Sequence, residues 1–132
     1  MNKLSLVVNS STQSVSKIEH FAETLRDQFG VGVEKYPDIL ISLTEAVNNA
    51  IIHGNNGDTK KQVCIVSLRT QKGITITVSD EGAGFNYSSI PDPTSADNIC
   101  NCGGRGVFLM RELCDNISFV NNGSTVKLFF SL

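Results

Sequence analysis

The sequence predicts an α+β fold, a two-layer sandwich in which a mixed, mostly antiparallel sheet carries helices on one face. Three observations lead there. Apolar residues alternate with period two in segments that come as adjacent pairs, 63–68 with 74–78 and 117–120 with 125–130. Each pair is joined by a short turn sequence, Gln71-Lys72-Gly73 and Asn121-Asn122-Gly123, which makes two hairpins. Two segments of helical period stand ahead of the first hairpin and one ahead of the second, giving the order β-α-α-β-β-loop-α-β-β.

Taken in order, Leu4, Leu6 and Val8 mark a first strand, and Asn9-Ser10-Ser11-Thr12 supplies turn and capping side chains. Over 14–29, Val15, Ile18, Phe21, Ala22, Leu25 and Phe29 recur at helical spacing, and Gly30 ends the run. Pro37 suits the first turn of a second helix that runs to His53-Gly54, where Asn55-Asn56-Gly57-Asp58 closes it. Residues 81–106 are rich in glycine, proline, serine and asparagine and have no steady period, so they read as a long functional loop. Helical spacing resumes over 107–113 with Val107, Leu109, Met110 and Leu113.

The chain of 132 residues forms one domain, 1–132, with no repeat or linker. Hydrophobic residues at 40% and charged residues at 18%, with 3 prolines, exclude wholesale disorder. With 13 acidic against 11 basic residues the net charge is −2, so the basic excess of a general nucleic-acid binder is missing. The apolar runs are far shorter than the roughly 20 residues a membrane span needs. The start Met1-Asn2-Lys3-Leu4 makes a poor signal peptide, and the cytoplasm is the expected compartment. The cysteines at 64, 100, 102 and 114 include no Cys-x-x-Cys pair, so free thiols are expected rather than structural zinc.

Three local patterns could carry chemistry. Glu45, Asn49 and His53 recur every four residues, and at about 100° per residue they form one helical stripe. Leu40, Leu43, Val47 and Ile51 lie on roughly the opposite side, so the helix could bury these while presenting a carboxylate, an amide and an imidazole. A carboxylate beside an amide oxygen suits a hard cation and an activated water; the alternative is a solvated polar face. In Val78-Ser79-Asp80-Glu81-Gly82-Ala83-Gly84-Phe85 a carboxylate leaves the end of a buried strand and Gly82 and Gly84 follow. Such a carboxylate can accept from an exocyclic amine while the glycines admit a ligand; the alternative is a tight turn with a capping Asp. Gly103-Gly104-Arg105-Gly106-Val107 runs into a helix, where open amides, the helix dipole and the Arg105 charge would hold an anion. The alternative there is a flexible loop meeting a helix, and neither the Walker pattern nor the dinucleotide fingerprint fits.

In sequence order these patterns suit a nucleoside triphosphate with its magnesium. Leu43-Thr44-Glu45-Ala46-Val47-Asn48-Asn49-Ala50-Ile51-Ile52-His53-Gly54 closely resembles the N box of the GHKL ATPases. Asp80-Glu81-Gly82-Ala83-Gly84-Phe85 resembles their first glycine box, and Gly104-Arg105-Gly106-Val107-Phe108-Leu109-Met110 the second. Within that superfamily the short chain and its N-box wording are most similar to the anti-sigma factor serine kinases of partner-switching systems. The resemblance covers nearly the whole chain and implies the Bergerat ATP-binding fold. It implies ATP and Mg2+ as cofactors, with Asn49 holding the metal and Glu45 the general base. Asp80 would bind the adenine amine with support from Thr125, and Gly82 and Gly84 would lie against the nucleotide. Gly104, Arg105, Gly106 and Val107 would meet the phosphates beneath a lid of about residues 86–103, with His53 near them.

The implied function is an ATP-dependent serine/threonine protein kinase that phosphorylates a small anti-sigma-factor antagonist. Its implied partners are that antagonist, a sigma factor and a second copy of the chain, with no nucleic acid or membrane. The alternative is a nucleotide-gated module that sequesters such a partner with little or no transfer. A stand-alone ATPase module resembling the catalytic domain of a histidine kinase is a third reading. The first helix offers Lys17, His20 and Arg26 but no clear counterpart of the partner-contacting arginine such factors often carry. Cys100 and Cys102, within the lid segment, have no counterpart in the family pattern, and a redox-sensing pair is one reading of them.

Overall fold

The computed structural model describes residues 2–82, 102–120 and 124–132. Its elements are β1 (Lys3–Asn9), α1 (Val15–Phe29), α2 (Tyr36–Asn49), β2 (Gln62–Arg69), β3 (Gly73–Ser79), α3 (Cys102–Leu113), β4 (Asn116–Val120) and β5 (Thr125–Ser131). This is the expected order. The strands form one sheet in the order β1-β2-β3-β5-β4, and every described pairing is antiparallel. β3 and β4 run parallel, as a strand–helix–strand crossover requires, but β5 lies between them, so no parallel ladder forms.

Register decides which side chains meet the helices. Val63 lies opposite Val8, Ile65 opposite both Leu6 and Val78, and Ile76 opposite Leu128. These residues point to one face and join the helix side chains Ile18, Leu25, Ile39, Leu43, Val47 and Met110 in a single core. The other face, with Val7, Cys64, Leu68 and Lys127, is exposed. The helices therefore cover one face, and the two-layer architecture is the one expected.

Local chemistry sets the helix boundaries. Gly30 adopts φ 71° and its amide donates to the Arg26 carbonyl, ending α1 in the left-handed geometry glycine tolerates best. Pro37 sits in the first turn of α2, where its missing N–H costs nothing. Lys35 pairs with Asp115 at 3.0 Å, tying the entry of α2 to the entry of β4.

Two boundaries differ from the sequence reading. α2 ends as an α-helix at Asn49, and Ala50–Gly54 continue as one π-helical turn. The Asn55 amide reaches back five residues to the Ala50 carbonyl at 2.8 Å, and a wider turn of this kind often marks a functional site. α3 begins at Cys102, five residues before the expected 107. Its glycines at 103, 104 and 106 each disfavour helix by about 1 kcal/mol relative to alanine, so local propensity pointed to loop. The expected turn at 121–123 and most of the loop at 81–106 lie outside the described residues. No described helix is long and apolar enough to cross a membrane.

Candidate functional site

A cleft opens at one end of the sandwich, lined by Ala46, Asn49, Ala50, Val78, Asp80, Met110, Phe119, Ser124 and Val126. The second helix, the end of β3, the third helix and the last hairpin all contribute. The structure thus brings together Asn49 and Asp80, which lie 31 positions apart in sequence.

Asn49 is on the last turn of α2 and only 9% exposed. Its Nδ2 has no hydrogen-bond partner among the described residues. An unmet amide in such a place costs about 1–3 kcal/mol, which a polar ligand in the cleft would recover. Because a carboxamide can turn either its oxygen or its nitrogen inward, the same group fits a cation or an acceptor. Glu45 is half-buried one turn earlier on the same helix.

Asp80 follows the last residue of β3. Its amide donates to the Ser124 carbonyl at 2.9 Å, and its Oδ1 accepts the Gly82 amide at 2.8 Å. Burial pushes its carboxyl above the ordinary value of 3.8, against the opposing effects of the Gly82 amide and the Lys61 charge. Glycine is required on both sides of it. A β-carbon on Gly54 would lie 2.1 Å from Asp80 Oδ2. Gly82 packs as closely against the Gly54 backbone. The end of the π turn and the segment after β3 therefore touch backbone to backbone, with the carboxylate held between them.

The other expected site residues are placed as follows. His53, in the π turn, is exposed and does not line the cleft. Thr125 is 8% exposed and donates its hydroxyl to Ser79 Oγ at 3.1 Å, beside the strand end that precedes Asp80. The backbone of Gly104, Arg105, Gly106 and Val107 is helical, in the opening turns of α3. Gly84 and the lid segment 86–101 lie outside the described residues. Cys64 and Cys114 are free thiols, as expected. Among the described residues no group of three His, Cys, Asp or Glu could hold a metal.

Sequence reasoning missed the apolar wall of Met110 and Phe119 as well as the roles of Gly54 and Asn55. Met110 closes the segment that resembles the second glycine box, but by itself it signals, like Phe119, only an apolar packing position. Gly54 was readable as the end of a helix, but its contact with Asp80 is a tertiary fact.

Residues 8–130 match the family described as the histidine kinase-like ATPase domain. The chain belongs to that family. An anti-sigma F factor of Bacillus cereus (strain ATCC 14579) is 29% identical over 131 residues, covering 92% of this chain and 89% of the relative. Anti-sigma F factors of Bacillus thuringiensis (strain Al Hakam) and Bacillus cytotoxicus are each 27% identical over 133 residues, covering 96% of this chain and 90% of the relative. The similarity thus extends beyond the N box and glycine boxes over residues 8–130, and the α+β sandwich agrees with it.

Proposed function

We propose that this chain is an ATP-dependent anti-sigma factor that phosphorylates a serine or threonine on a small antagonist protein. The observation that carries the reading is the buried Asn49 amide, whose nitrogen has no hydrogen-bond partner among the described residues, in a cleft that the half-buried Asp80 also lines. The family and the anti-sigma F relatives support it.

On this reading the Asp80 carboxylate accepts the exocyclic amine of adenine, and Thr125 steadies the strand end from which Asp80 departs. Asn49 would hold the magnesium, which when bound neutralises charge on the phosphates. Glu45 takes the proton of the partner's hydroxyl as that oxygen attacks the γ-phosphorus, the bond to ADP breaks, and ADP leaves. Arg105 and the first-turn amide of Gly104 would supply positive potential for the phosphates, whereas the Gly106 and Val107 amides, inside α3, would contribute only through the helix dipole. Gly84 serves the glycine-lined approach to the nucleotide. His53, outside the cleft lining, would approach the phosphates only from the rim. The open cavity is about 10 Å³, about the room of one water molecule.

The partners on this reading are a sigma factor, the antagonist, and a second copy of the chain, all in the cytoplasm. The deciding test is mass spectrometry of the protein incubated with ATP, magnesium and a candidate small antagonist protein from the same genome. A gain of one phosphate on the antagonist is expected. Binding of the antagonist or a sigma factor with ATP but no phosphate gain would leave a nucleotide-gated sequestering module instead.

A further inference from the structure

The polar residue that follows the π turn, Asn55, is fully buried, at 0% exposure. Its carboxamide uses every group it has. Nδ2 donates to Ser10 Oγ at 2.7 Å and to the Gln62 carbonyl at 3.0 Å, and Oδ1 accepts the Glu81 amide at 2.8 Å. The pattern requires asparagine. Only the nitrogen can donate to the Gln62 carbonyl and only the oxygen can accept from Glu81, so the amide has one orientation. An aspartate would set an oxygen against the Gln62 carbonyl, and an alanine reaches none of the three partners.

The geometry points to Asn55 as the positioning residue for Asp80, through which the chain discriminates nucleotides by the exocyclic amine of the base. This rests on the reading of the cleft as a nucleotide site. The two peptide groups that flank the Asp80 α-carbon are held from opposite sides. Its own amide is bonded to Ser124 on the last hairpin, and the following amide, that of Glu81, to Asn55 at the end of the π turn. The Glu81 side chain adds a third tie by accepting the Gln62 amide. With both peptide planes pinned and Oδ1 on the Gly82 amide, the direction of the remaining Asp80 oxygen is set by the backbone. Asn55 in turn rests on Ser10 after β1 and on Gln62 at the start of β2, so the rigid sheet supplies the reference frame. A site that recognises an amine through a preset acceptor rejects an analogue lacking the amine, and loses that selectivity when the acceptor is free to turn.

The test is calorimetric binding of ATP and of purine riboside triphosphate, which lacks the 6-amino group, to wild-type protein, Asn55→Ala and Ser10→Ala. Wild type is expected to prefer ATP, and Asn55→Ala to shrink that preference by about tenfold, the loss expected when a buried hydrogen bond holding the acceptor is removed. A merely structural role would lower the affinity for both ligands alike and leave the ratio unchanged. A folded Asn55→Ala with the wild-type ratio overturns the proposal. If Asn55→Ala does not fold, Ser10→Ala decides: a reduced ratio supports the proposal and an unchanged ratio overturns it. Wild-type protein that binds ATP and the purine analogue equally overturns the amine discrimination alone. Wild-type protein that binds neither overturns the nucleotide reading and this proposal with it.

Discussion

A β-carbon placed on Gly82 would lie 1.7 Å from the carbonyl oxygen of Gly54. No heavy atom sits that close to another without a bond, so any side chain at 82 must push the backbone apart where it holds Asp80. Gly82→Ala is expected to destabilise the fold by about 1–3 kcal/mol, the usual range for overpacking. It should also weaken ATP binding by a larger factor than this loss explains, because the Gly82 amide is a partner of the Asp80 carboxylate. Chemical unfolding and calorimetric titration together check this, and wild-type affinity in the variant would show that the close packing is dispensable.

Glu45→Gln keeps the shape and burial of the α2 residue but cannot take a proton. Phosphate transfer to the antagonist should fall by about 100-fold or more, the scale of general base catalysis, while ATP affinity stays near wild type. Single-turnover transfer with labelled ATP measures the first and calorimetry the second. Retained transfer would remove Glu45 from the role of base.

Acidification should weaken ATP binding through Asp80. Its folded carboxyl titrates above 3.8 because burial disfavours the charge, so the ionised acceptor is lost at a pH where most carboxylates are still charged. The same raised value means that protonating Asp80 favours the folded state. This contribution is fully present below 3.8 and disappears as the pH rises through the folded value. Affinity measured against pH should begin to fall above 3.8, and Asp80→Asn should bind weakly without that dependence. A wild-type profile that matches the variant's would assign the pH effect to the nucleotide.

Asp115 carries the opposite sign. The Ser131 amide at 2.7 Å and then the Lys35 ammonium at 3.0 Å hold its carboxyl below the ordinary value of 3.8. Its stabilisation is present above 3.8 and is lost as the pH falls through the depressed folded value. Asp115→Asn should lower the melting temperature at neutral pH and flatten the acid limb of melting temperature against pH. An acid limb as steep as in the wild type would show that other carboxylates dominate it.

Much of the fold was legible because its signals are local. Period-two alternation at Val63, Ile65, Ile74, Ile76, Val126, Leu128 and Phe130 identified the buried face, and all of these residues are buried. Gly30 and Pro37 marked helix boundaries through their own backbone restrictions. The start of α3 was misread for the same reason, since the local cost of its three glycines says loop and a backbone that folds as helix shows it only in three dimensions. Of the cleft lining, Asn49 and Asp80 could be singled out because an amide on a helix and a carboxylate at a strand end are chemically suggestive, while Glu45 is not among the lining residues. The helix widens into a π turn at Ala50–Gly54, a change that the regular four-residue spacing of Glu45, Asn49 and His53 does not announce.

Layer architecture, element order and the kinds of side chain available to the cleft are readable from the amino-acid sequence. These follow from periodicity and side-chain chemistry, which act over a few neighbours. Only three-dimensional packing makes Asp80 and Asn49 line one cleft and makes Gly54 and Gly82 meet with no room for a side chain. It also decided that Asn55, which reads as an ordinary loop residue, would be buried with its carboxamide fully bonded. Apart from the Asn55–Gln62 bond, which spans 7 positions, those are relations between residues 26 or more positions apart. They depend on how a helix end and a strand end are brought together by the sheet, and no local pattern of residues encodes that distance.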